Sequence, residues 1–86
     1  VNSYITDEFR AMYKALPWGI RNKVKKAYKL WRSDTTYPSL YFKPVKGKPG
    51  MWSARVDLDY RAVCWQEPDG WLWFWVGKHK DFDKLV

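Results

Sequence analysis

Near Asp34 the hydrophobic pattern of this 86-residue chain changes period, and that switch limits the folds open to it. Before it the apolar residues recur at helical spacing. In "ITDEFRAMYKALP", Phe9, Met12, Tyr13 and Leu16 form one stripe. Thr6 is placed to cap this helix, and Asp7 and Glu8 fall in its first turn, where the macrodipole favours acids. Pro17 and Gly19 interrupt the run. "PWGIRNKVKKAYKLWRSD" then predicts a second helix, with Ile20, Val24, Ala27, Tyr28 and Trp31 on one face. Arg21, Lys25, Lys26, Lys29 and Arg32 occupy the other, with no acid among them. The short joint predicts an antiparallel helical hairpin.

After the switch the pattern has strand spacing. "LYFKPV" is a short strand candidate whose Pro44 argues for a sheet edge. "MWSARVDL" alternates, with Trp52, Ala54, Val56 and Leu58 opposite Ser53, Arg55 and Asp57. "YRAVCWQ", the turn "EPDG" and the apolar "WLWFWVG" complete an antiparallel meander, and "KDFDKLV" suits one closing helical turn. Helices first and strands second predict a single α+β domain over residues 1–86. The hairpin should pack on one face of a three- to four-stranded, mainly antiparallel sheet.

Composition narrows the function. Lys and Arg number 16 against 9 Asp and Glu, a net charge of +7, so a polyanion or an acidic protein is the expected partner. One cysteine, Cys64, precludes an intrachain disulfide, and with a single histidine it makes a zinc site untenable, so no cofactor or metal is expected. Neither a membrane-spanning run nor an export leader is evident, which predicts a cytoplasmic protein without membrane attachment.

If one sheet face is covered by helices, the other is open. Alternation assigns the small or aliphatic set Ala62, Cys64, Leu72, Phe74 and Val76 to the covered face. It leaves Arg61, Trp65, Trp73 and Trp75 on the open one, with His79 just past the last strand. Arg61 among apolar strand positions is either a partner for Asp57, Asp59 or Glu67 or a fork for phosphate oxygens, and Arg55 poses the same choice. Trp73 and Trp75 are either core or a platform for bases. A neutral imidazole at His79 could take a proton, while Lys78 and Lys80 hold phosphate, with Lys43, Lys46 and Lys48 at the far end of the sheet. No phosphate loop, nucleophile elbow or carboxylate pair is present. Any chemistry must therefore act on a substrate that carries its own nucleophile, such as RNA with its 2′-hydroxyl. A plain nucleic-acid-binding module is the non-catalytic counterpart.

The stretches "PSLYFK", "YRAV" and "WFWVGKHKDFDKL" resemble the RelE/ParE superfamily of bacterial toxin–antitoxin systems, with similarity from about Phe9 to the end of the chain. The resemblance implies a helical hairpin followed by an antiparallel sheet. It also implies a toxin, either a ribosome-dependent mRNA endonuclease or a non-catalytic inhibitor of DNA gyrase. In the endonuclease branch Arg61 matches a catalytic arginine and His79 a basic or imidazole group at the strand end. Phe82 falls where that branch often has a tyrosine, so this position could stack on a base but not move a proton. The implied partners are a cognate antitoxin that wraps the toxin, together with the ribosome and mRNA, or gyrase.

Overall fold

A computed structural model describes residues 2–86. Strand β1 (Ser3–Ile5) leads into helices α1 (Asp7–Ala15) and α2 (Trp18–Ser33), and a 3-10 turn at Pro38–Leu40 follows. Strands β2 (Lys43–Pro44), β3 (Met51–Arg55), β4 (Tyr60–Glu67) and β5 (Gly70–Lys78) and helix α3 (His79–Leu85) complete the chain. As the sequence predicts, the Thr6 hydroxyl caps α1, accepting from the Phe9 N–H at 3.0 Å. Pro44 does lie on an edge strand.

The sheet differs from the expected meander. It has five strands in the order β1-β5-β4-β3-β2, and β1 runs parallel to β5, so the sheet is mixed. Three residues are too few to show an alternation, which hides β1 in the sequence. Its pairing is nonetheless well fixed. The Trp71 N–H donates to the Asn2 carbonyl and the Thr6 N–H to the Trp73 carbonyl, each at 3.0 Å. Gly70 is required where the two strands meet, because a Cβ there would lie 2.5 Å from the Asn2 carbonyl oxygen.

The helices are less closely paired than a simple hairpin. A groove of about 350 Å³ opens between them, lined by Phe9 and Tyr13 of α1 and Val24 and Tyr28 of α2, with Ala54 and Ala62 of the sheet among its walls. Beside it Trp31 anchors the main core, only 1% exposed, with its ring 5.1 Å from Trp73 and 5.6 Å from Phe42. Cys64 is wholly buried in this core, and burial pushes its thiol up to about 12, which keeps it protonated and unreactive. A smaller cluster of Met51, Val63 and Phe82 lies under α3 on the opposite sheet face.

The face assignment of β5 needs correction. Val63 pairs with Trp75 and Cys64 with Trp73, so Phe74 has no partner on β4. The extra residue forms a bulge that shifts the alternation by one. Trp73 therefore turns toward the helices and is 4% exposed, whereas Phe74 and Trp75 both pack against the α3-side cluster. Leu58, expected to continue the apolar face of β3, is 78% exposed because the strand ends at Arg55 and a turn begins.

Candidate functional site

The face opposite α1 and α2 carries the site residues. Arg55 of β3 and Arg61 of β4 are directly paired across the two antiparallel strands, so both side chains leave the same face at neighbouring positions. Like charges so placed repel, and a carboxylate between them would be the ordinary remedy. None is present. Among the described residues the carboxylates that approach a basic side chain are Asp57, paired with Lys23, and Asp83, beside the His79 imidazole. Asp57, one of the acids expected for Arg61, is committed to Lys23 at 3.1 Å. The Arg61 Nε is buried without a hydrogen-bond partner.

Aromatic rings hold the two guanidiniums instead. That of Arg61 lies over Phe82, 5.5 Å from the ring centroid, and that of Arg55 over Tyr41 at 5.1 Å. Tyr41 adopts a left-handed backbone conformation (φ 46°) at the end of the 3-10 turn, which is unfavourable for an aromatic residue. Gly77 faces Arg61 across β4–β5 and leaves that flank without a side chain, and the Trp75 indole folds over it.

His79 opens α3, and its ring stands 6.1 Å from Phe82. Phe82 is thus a common floor beneath Arg61 and His79. Asp83, one helical turn on, places a carboxylate oxygen 3.5 Å from Nδ1 and leaves Nε2 as the nitrogen available to a ligand. The pair is not legible in a closing turn over "KDFDKLV", which begins after His79; it requires α3 to start at His79 itself.

Several expected contacts are not brought here. Trp73 is core, so it cannot stack on a base. Phe82 is 9% exposed beneath Arg61, which removes its ring from direct base stacking. Trp75 remains half-buried on the site face. Lys43 pairs with Ser53 and so shares the site face, whereas exposed Lys46 and Lys48 lie in the β2–β3 turn. Lys78 turns away from Arg61 and, with Lys80, lines a cleft against Leu16 and Pro17. Among the described residues no His, Cys, Asp and Glu side chains gather as a metal-ligand set. No helix among them is long and apolar enough to cross a membrane.

Asp57 ties the site to the helix layer. Partial burial works to raise its carboxyl, but the N–H groups of Asp59 and Tyr60 and the Lys23 ammonium outweigh this and hold it below its ordinary value of 3.8. A carboxyl lowered on folding stabilises the fold above its unfolded value, and that contribution disappears as pH falls through the folded one. Acid titration of stability below about pH 4 should therefore be shallower in Asp57→Asn than in wild type, measured by urea unfolding.

A helix pair on one sheet face and an acid-free arginine pair with a histidine on the other define a small basic α+β domain suited to an anionic ligand. Residues 19–84 match the model of the ParE-like toxin domain, and the chain belongs to that family. A search of curated protein sequences finds no match. The fold is similar to that of a chain in the RelB–RelE antitoxin–toxin complex of Methanococcus jannaschii, with TM-score 0.77 and 19% identity, covering 96% of this chain and 98% of that one. It is also similar to YafQ of E. coli (TM-score 0.75, 17% identity, 94% and 96% covered). The YoeB/ParE toxin of Agrobacterium tumefaciens gives a TM-score of 0.72 at 16% identity, covering 92% and 99%. At such identities the likeness concerns the fold.

Proposed function

We propose that this chain is the toxin of a toxin–antitoxin pair and cleaves mRNA on translating ribosomes in the cytoplasm. The observation that carries the reading is the unneutralised Arg55–Arg61 pair, whose Arg61 shares the Phe82 ring with His79. Two guanidiniums without a carboxylate form a site for a phosphate whose charge grows in the transition state. In this mechanism the RNA 2′-oxygen attacks the adjacent phosphorus while His79 Nε2 takes its proton. Arg61 and Arg55 stabilise the pentacoordinate phosphate, the bond to the 5′-oxygen breaks, and that oxygen takes a proton from water. The products are a 2′,3′-cyclic phosphate and a 5′-hydroxyl. Trp75 would support a base, and Lys43, Lys46, Lys48, Lys78 and Lys80 would hold RNA backbone on several sides of the domain.

The partner is an acidic antitoxin. Structural neighbours are complexes with the antitoxins RelB and DinJ. In this chain the apolar groove between α1 and α2, which Arg10 and Lys25 also line, suits an amphipathic acidic segment.

His79→Gln should lower cleavage by about 10²–10⁴-fold, the usual contribution of a general base, while ribosome binding stays near wild type. Inducible expression with transcript-end mapping beside a supercoiling assay tests the reading in cells. New transcript ends with growth arrest support it. Blocked supercoiling with intact transcripts assigns the chain to gyrase inhibition instead.

A further inference from the structure

We propose that Asp57 is a positioning residue for His79, acting through the turn that joins β3 to β4. The His79 side chain meets Asp83 and Phe82, and its main chain follows directly on β5. His79 is the first residue of α3, where the N–H groups lack partners within the helix, and the preceding Lys78 offers no side-chain cap. The His79 N–H donates instead to the Asp59 carbonyl at 2.6 Å, short for an amide hydrogen bond. Asp59 directly precedes β4, and its bond to His79 extends the register in which Tyr60 faces Lys78, so its carbonyl is placed by that ladder on one side and by the turn on the other.

That turn is built on Asp57. Its Oδ1 accepts from the N–H of Asp59 at 2.8 Å and of Tyr60 at 2.9 Å, adding to the main-chain bonds that the Val56 and Asp57 N–H groups donate to the Tyr60 carbonyl. Its Oδ2 accepts from Lys23 Nζ at 3.1 Å, which ties the loop to α2. The path from α2 to the candidate base is therefore Lys23, Asp57, the Asp59 main chain and the His79 main chain. The exposed Lys23 end contributes little energy on its own, so the two N–H bonds to Oδ1 are the essential part.

The test is amide hydrogen exchange on the purified full chain together with steady-state cleavage on ribosomes. Asp57→Ala should speed exchange at the His79 amide at least tenfold while Val63 and Cys64 in the central strand exchange as in wild type. It should lower kcat about tenfold with KM within about twofold. Asp57→Asn should restore most of both, since an amide oxygen still accepts from the Asp59 and Tyr60 N–H groups. Asp57→Ser, whose hydroxyl closes a weaker turn, replaces the alanine variant should that fail to fold. Unchanged His79 exchange in a folded Ala or Ser variant overturns the proposal, as does a rise at all three amides alike. The kinetic arm rests on the reading of His79 as a base. If wild type cleaves nothing, that reading fails, and the exchange arm still decides whether Asp57 positions His79.

Discussion

Arg61→Ala should lower RNA cleavage by about 10²–10³-fold, corresponding to about 2.7–4 kcal/mol of barrier, the usual loss when one donor to a developing oxyanion is removed. Thermal stability should hold or rise. The guanidinium faces Arg55 directly, and relieving two like charges at paired strand positions is worth roughly 0.2–1 kcal/mol. Its Nε is buried without a partner, a cost of about 1–3 kcal/mol that disappears with the side chain. Lost packing on Phe82 opposes these gains, and Arg61→Met, which keeps an aliphatic stem over the ring, separates the terms. Thermal unfolding measured beside cleavage distinguishes the possibilities. An arginine held for structure would lose stability on truncation, whereas one held for phosphate loses activity at little or no cost to the fold.

Trp31→Ala should have the largest effect on the fold, about 3–5 kcal/mol, typical of truncating a buried aromatic side chain. Its ring lies within 5.1–6.0 Å of Phe42, Trp71 and Trp73, so the cavity would open where α2 meets the sheet. A chain of this length has a total stability of roughly 4–13 kcal/mol at ordinary values per residue, so the loss is a large part of the whole. Urea unfolding of the two proteins measures it. A loss below about 1 kcal/mol would mean that the aromatic cluster is not the principal core.

Much of this architecture is legible in the residues. The Thr6 cap, the apolar stripes of α1 and α2 and the Pro44 edge are local features set by chemistry within a few residues, and each appears where the sequence places it. Face assignment along β5 is not local. The unpaired Phe74 exists only in the register against β4, and one extra residue moves Trp73 from the supposed ligand face into the core. β1 is hidden for a related reason, since its evidence is the pairing with β5 and not its own three residues.

The candidate site divides in the same way. Arg61 and His79 stand out in the sequence as isolated charged or titratable groups next to apolar strand residues. The direct pairing of Arg55 with Arg61 could be found only from strand register. Tyr41 beneath Arg55 depends on a left-handed backbone that favours glycine or asparagine over tyrosine. The contribution of Asp57 runs through a main-chain bond to His79, which no pattern of side chains records.

The most direct test is cleavage of a defined transcript by the purified protein on translating ribosomes, with the chemistry of the new ends determined and Arg61→Ala assayed alongside. The account predicts that wild type produces 2′,3′-cyclic phosphate and 5′-hydroxyl ends, and that Arg61→Ala, still folded, yields at most about one hundredth of them. An intact transcript with wild type, or equal cleavage by the Arg61→Ala variant, would contradict it.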